Sequence, residues 1–288
     1  MTGFSKLHPF VEFFFFLLVM AVSMFVSHPA VQLLGFFLAA LTALSCVGVK
    51  KFLRQLLLVM PLMLFTAILN PLITHQGVTV LFYFPSGNAY TLESVLYGVF
   101  AAVRLATVLF WFVGWNAVIT SDKFVFLFGR VIPALSLTIS MGLRLIPRLL
   151  RRIREVSEAQ KCLCPDSKGL RHAGRVISIV ITWSLENALD TADSMKSRGY
   201  GLPKRSAFSL YRFTARDGAA LAYLTVLGAA VLLAALTGQL TWQFYPMLQG
   251  SSGAQTALSA AVFTLLAAFP VMYEAKEAVQ WRISRSRT

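Results

Sequence analysis

Ser197-Arg198-Gly199 is the tripeptide in this chain best suited to a specific contact. An arginine carries a permanent charge on a planar fork of donors, and a glycine beside it lets the backbone come close to a partner. The tripeptide ends an amphipathic segment, residues 188–201, inside a basic stretch flanked on both sides by strongly apolar sequence. That setting suggests a docking point for a soluble partner.

Residues for catalysis are sparse. His8, His28, His75 and His172 are scattered, and no paired carboxylates or metal-ligand spacing accompany them. No glycine-rich phosphate loop is present, so the chain is not expected to hydrolyse ATP itself. Cys162 and Cys164 form a Cys-x-Cys pair, but two thiolates do not complete a zinc site. With Cys46 they make three cysteines, which give no disulfide framework. No cofactor or metal is expected in this chain. An integral-membrane enzyme would need an intramembrane cluster of titratable groups, and a stand-alone secondary carrier would suggest internal repeats and broken helices. Neither pattern is visible, and these two remain the alternatives.

The elements that carry the tripeptide are set by composition. Of 288 residues, 57% are hydrophobic and 13% charged, and mean hydropathy is +0.69. Soluble domains run near roughly 25% charged, so the apolar excess is expected to face lipid. Apolar runs predict six spans: Pro9–Ser27, Pro29–Val49, Phe52–Asn70, Leu92–Ile119, Gly218–Leu240 and Gln255–Tyr273. The run from Phe10 to Val26 follows Lys6 like a signal segment, but no small-residue cleavage pattern follows it, and it is taken as a span. Phe13–Phe16 are expected to face lipid or a membrane partner.

The net charge of +14 is interleaved with the spans, which fits the positive-inside bias and not nucleic-acid binding. Lys50, Lys51 and Arg54 mark one loop, residues 120–216 a second, and Lys276, Arg282, Arg285 and Arg287 the C-terminus. The alternate loops, near His28 and over 71–91 and 241–254, contain no Lys or Arg. Both termini are therefore expected on the cytoplasmic side. Segment 122–146 is apolar but interrupted by Arg130, Pro133 and Arg144, and a further span there would break the alternation. A short helix or helix pair at the cytoplasmic edge is expected instead.

Two amphipathic helices are predicted in the long loop. The first covers about Met141–Cys162, with Leu143, Ile146, Leu150 and Ile153 in one stripe and Arg144, Arg148, Arg151, Arg152 and Arg154 around it. Pro147 predicts a kink or a new start, and Cys164-Pro165-Asp166 an end. The second covers about Leu170–Arg198, with Ile177, Ile181, Leu185, Ala188, Ala192, Met195 and Gly199 in a stripe and Glu186, Asp190 and Asp193 on another face. Gly199, Gly201 and Pro203 suit its C-terminus. Such a pair fits either anionic lipid or partner docking. Within the spans, Arg104 stands mid-segment, where a charge is costly. It either pairs with Glu93 or Glu12 or reaches an interface through tilt.

At three places the loop resembles a known family. Gly142-Leu143-Arg144-Leu145-Ile146-Pro147-Arg148-Leu149 resembles the LRFIP-L segment of the T components of energy-coupling factor (ECF) transporters, the CbiQ/EcfT family. Glu158-Ala159-Gln160-Lys161 resembles the start of its first coupling motif, AQ-ARG, and Met195-Lys196-Ser197-Arg198-Gly199-Tyr200-Gly201 its second, M-ARGYG. The order of the three matches, within residues 140–202. One departure stands out. Cys162-Leu163-Cys164 occupies the place of Ala-Arg-Gly, so Leu163 replaces the arginine, with Arg154 and Lys161 as candidate substitutes.

The resemblance implies an all-α integral membrane protein of about six transmembrane helices plus two long cytoplasmic amphipathic coupling helices. The expected segments are 1–121, 122–216 and 217–288. It implies a non-catalytic scaffold in the cell (plasma or inner) membrane. Its implied partners are two ABC-type ATPases, as a homo- or heterodimer, and a substrate-binding S component in the bilayer. ATP and Mg would be bound by the ATPases. The implied ATPase contacts are Ser197, Arg198, Gly199, Ala159, Gln160 and Leu163. The implied helix packing is by Ile181, Leu185, Ala188, Ala192 and Met195. The substrate is not readable, because the resemblance makes selectivity a property of the S component.

Overall fold

The computed structural model describes residues 3–75, 77–83, 89–129, 133–163, 169–202, 211–245, 247–251 and 253–285. After a short 3-10 turn, Gly3–Lys6, the chain forms α1 (Pro9–Phe25), α2 (Pro29–Val47) and α3 (Val49–Ile73). A strand pair follows, β1 (Val80–Tyr83) and β2 (Ala89–Thr91), then α4 (Leu92–Val118), α5 (Ser121–Gly129), α6 (Pro133–Leu163) and α7 (Leu170–Ser197). The last part holds α8 (Ala215–Leu236), β3 (Trp242–Gln243), β4 (Gln249–Gly250), α9 (Ala254–Ala267) and α10 (Phe269–Arg285). The fold is that of an all-α membrane protein. Its two antiparallel strand pairs are confined to the lysine- and arginine-free loops.

The chain divides into two compact units. The first joins residues 1–121 with 211–288, so the two membrane segments separated in sequence pack together. The second is residues 122–210.

In the first unit, α2, α3, α4 and α8 are each long and apolar enough to cross a bilayer. The pair α9 and α10 makes a fifth candidate, bent by 50°. The bend falls inside the span expected over Gln255–Tyr273. Pro270, in the first turn of α10, has no N–H to continue the ladder from α9 and clashes with the preceding turn. α1 is apolar but only 17 residues long, so its count as a sixth span rests on composition.

α4 is the central helix and packs on α1, α2 and α3. Close approach depends on glycine. A Cβ on Gly98 would stand 2.7 Å from the Ala67 carbonyl oxygen on α3, and one on Gly114 would stand 3.2 Å from Phe16. The core beside this contact is aromatic. Phe15, Phe16, Phe110 and Trp111 are fully buried, with edge-on ring pairs such as Phe15–Trp111 at 5.8 Å. This overturns the expectation that Phe13–Phe16 face outward. Phe15 and Phe16 are core, and Phe13 lies 5.0 Å from Trp115. A run of four phenylalanines in a helix must cover more than one face, so at least part of it turns inward.

A polar knot ties the chain entry to α8. The His8 amide donates to Asp217 Oδ1 at 2.9 Å, and the Thr214 amide and hydroxyl donate to Asp217 Oδ2 at 2.9 and 2.6 Å. Asp217 thereby caps α8, while His8 caps α1 by accepting the Phe10 amide on Nδ1 at 3.3 Å.

Candidate functional site

The second unit is built on α6 and α7, preceded by α5. The apolar segment 122–146 thus contains α5 and the first part of α6; Arg130 lies outside the described residues. α6 starts at Pro133, eight positions ahead of the predicted Met141, and runs unbroken through Pro147. Proline favours a first helical position, which explains the earlier start. Pro147 is exposed and removes one hydrogen bond from the helix ladder. α7 begins at Leu170 as predicted and ends at Ser197.

α6 and α7 pack as an antiparallel hairpin. Ser157 Oγ is 3.2 Å from His172 Nε2, and the Arg152 guanidinium lies over the Trp183 ring at 5.3 Å. Between these contacts Val156, Val176 and Val180 are buried, with Leu149 beside them. The inner face of α7 therefore starts from Val176 and Val180. Ile177, Ile181, Leu185, Ala188 and Ala192 are exposed, and Met195 is half-buried.

Helical rotation of roughly 100° per residue places the remaining side chains. On α6, Leu143, Ile146, Leu150 and Ile153 lie about a third of a turn from the buried line. On α7, Ile177, Ile181, Leu185, Ala188 and Ala192 are offset by a similar amount in the same rotational sense. In an antiparallel pair those equal offsets point to the same side, so the two exposed stripes form one apolar face. Arg144, Arg148 and Arg151 of α6 fall on the opposite side, with Glu186 and Asp193 of α7. All five are exposed.

The end of α7 is a Schellman turn. The Gly199 amide donates to the Lys196 carbonyl at 2.9 Å and the Tyr200 amide to the Met195 carbonyl at 3.0 Å. Gly199 has φ +78°, and a Cβ there would meet Leu202 Cδ1 at 3.0 Å. This left-handed residue closes the helix and leaves Arg198 at the cap with φ −85°. Arg198 is exposed, and its guanidinium has no hydrogen-bond or ion-pair partner among the described residues. Beside it, Ser197 Oγ donates to the Ser194 carbonyl at 2.9 Å. Gly201, with φ +93°, continues the turn; Pro203 lies outside the described residues.

The other motif lies at the end of α6. Leu163 is 75% exposed, Ala159 and Cys162 are exposed, and Gln160 is half-buried. Cys164 lies outside the described residues, as do Pro165 and Asp166. Arg154 and Lys161 are exposed. The Ser157–His172 contact holds this end beside the start of α7, whereas Arg198 ends α7 28 residues later. At 1.5 Å per residue the two tips are about 40 Å apart, at opposite ends of the hairpin.

In the first unit, Arg104 forms neither of the pairs considered for it. Glu93 instead accepts from the Thr79 amide and hydroxyl, at 3.1 and 2.8 Å. Arg104 lines a cavity with Gln32, in the first turn of α2. Its side chain therefore leans toward the N-terminal end of α4, as helical side chains do. Among the described residues no three His, Cys, Asp or Glu side chains gather in a metal-binding arrangement.

Comparison with known families agrees with this arrangement. Residues 4–210 match the CbiQ family, described as cobalt transport protein. No curated protein matches the chain. The match takes in the first four apolar helices and the whole hairpin and ends before α8. Transport families of this kind work with partner components and are not catalysts. With several membrane-capable helices and a match over more than half its length, the chain belongs to the CbiQ family, the T components of ECF-type transporters.

Proposed function

We propose that this chain couples two cytoplasmic ABC-type ATPases to the reorientation of a substrate-binding S component during micronutrient uptake. The observation that carries the proposal is the exposed Arg198 guanidinium, unpaired among the described residues, on a Schellman turn at one end of a hairpin whose other motif lies at the far end. Each end would sit in a groove of one ATPase, which binds ATP and Mg. Closure of the ATPase pair would then move the two ends relative to each other. The apolar face of the hairpin would bear on the S component, and the charged side would face the ATPases. Both termini would be cytoplasmic, in the plasma or inner membrane. The family description makes cobalt the first substrate to test.

A partly desolvated arginine anchor is worth about 2–5 kcal/mol on truncation, whereas Leu163 offers only apolar area. The two ATPase contacts would therefore be unequal. Arg198→Glu is expected to abolish ATPase co-purification and ATP-dependent uptake while leaving the thermal unfolding of the membrane unit unchanged. Wild-type ATPase retention and uptake in that variant would refute the proposal.

A further inference from the structure

Arg104 belongs to an unassigned polar site inside the first unit. Ser23 of α1 and Val26 just after it, Val31, Gln32 and Gly35 of α2, Arg104 and Thr107 of α4, and Phe263 of α9 line a cavity of about 10 Å³, counted as space open to the centre of a water molecule. Three polar atoms on this lining are buried without a hydrogen-bond partner among the described residues: Ser23 Oγ, Gln32 Oε1 and Arg104 Nε. Ser23 and Gln32 are only 6% and 5% exposed. A buried polar atom left unsatisfied forfeits the hydration it had in the unfolded chain, so each of the three calls for a partner.

The chemistry of the three atoms selects the ligand. Arg104 Nε–H can only donate, and Gln32 Oε1 can only accept. The orientation of the Gln32 amide is fixed, since its Nε2 donates to the Val26 carbonyl at 3.0 Å. Ser23 Oγ can do either. A small anion would satisfy Arg104 but face the lone pairs of Gln32, and a metal cation would face the guanidinium. A water molecule accepts and donates, needs about this much room, and usually makes about three such bonds. We propose that the cavity binds one structural water. It accepts from Arg104 Nε–H, donates to Gln32 Oε1 and bonds Ser23 Oγ, and so fastens the charged side chain of α4 to the α1–α2 turn.

The test is a structure of the full transporter complex in nanodiscs, at a resolution that shows ordered water. One peak is expected at hydrogen-bond distance, about 2.7–3.2 Å, from all three atoms. An unoccupied cavity, a direct Arg104–Gln32 hydrogen bond, or stronger density at this position after bromide exchange would each overturn the proposal. Thermal unfolding adds a second reading. Replacing chloride with gluconate should leave the midpoint unchanged, and a fall on removing chloride would point to an anion instead. Ser23→Ala and Gln32→Met together should lower the midpoint by less than the sum of the single effects, because both act through one molecule. Strict additivity would count against it. If Gln32→Met fails to fold, the wild-type density and chloride readings still decide.

Discussion

Arg152 and Trp183 meet across the hairpin, with the guanidinium carbon 5.3 Å from the ring centroid. Arg152 also bonds Glu155 on its own helix at 3.1 Å. The stacked cation therefore joins α6 to α7 one turn away from the buried valines. A cation–π contact at a partly exposed site is worth about 0.5–1 kcal/mol. Trp183→Leu keeps apolar bulk but loses the ring quadrupole. It is expected to speed amide hydrogen exchange across residues 176–187 by about two- to five-fold. Arg152→Gln should do the same, and the double substitution should add little. Independent effects of the two changes would show that they do not act through one contact.

Gly199 determines how Arg198 is presented. Its φ of +78° costs a side chain about 1–2 kcal/mol, and a new Cβ also presses on Leu202. Gly199→Ala should fray the end of α7 in hydrogen exchange and weaken ATPase retention without removing any charge. Gly174, in mid-helix, has nothing within 4 Å of its Cβ position. Gly174→Ala should stabilise α7 by about 0.5–1 kcal/mol and leave ATPase retention unchanged. Equal retention by the two variants would separate the turn from docking.

Hydropathy located the membrane helices because lipid rewards apolar length whatever the packing partner. The limits of α2, α3, α4 and α8 follow the predicted runs within a few residues. What hydropathy leaves open is which apolar side chains turn inward. Phe15 and Phe16 are core, while Phe25 and Phe37 are 74% and 66% exposed, and nothing in their chemistry separates them. The same ambiguity holds in α7. Val176 and Ile177 begin two adjacent apolar stripes of equal period, and only the position of α6 selects the first. The ends of α7 were legible, since Gly199 and Gly201 have one conformational use there. The start of α6 was obscured by two prolines, one of which begins the helix and the other of which lies within it.

Gly98 marks a close backbone approach between α3 and α4. A Cβ there would come within 2.7 Å of the Ala67 carbonyl oxygen, which belongs to backbone and cannot rotate away. Gly98→Ala should force the helices apart and destabilise the membrane unit by about 1–3 kcal/mol, seen as a lower unfolding midpoint in detergent. Gly228→Ala is the control. A Cβ there would press most closely on Leu18 Cδ1, the far end of a side chain that can change rotamer. The midpoint should fall less for Gly228→Ala than for Gly98→Ala, and the reverse order would contradict this packing of α3 on α4.

The cap at His8 should make the membrane unit sensitive to acid. Burial pushes the His8 imidazole below its ordinary value, and the Asp217 carboxylate pulls it partly back. Its Nδ1 accepts the Phe10 amide, which a proton on that nitrogen would prevent. The unfolded chain therefore binds the proton more readily than the folded one, and stability must fall as pH drops. The loss should begin near the unfolded value of about 6.5 and level off below the folded value. His28 is shifted down by burial as well, so it adds to the same slope. His8→Asn retains a capping acceptor but does not titrate. It should flatten the dependence of the unfolding midpoint between pH 7.5 and 5 in part, leaving the share owed to His28. An unchanged slope in His8→Asn would exclude His8 as a source of that dependence.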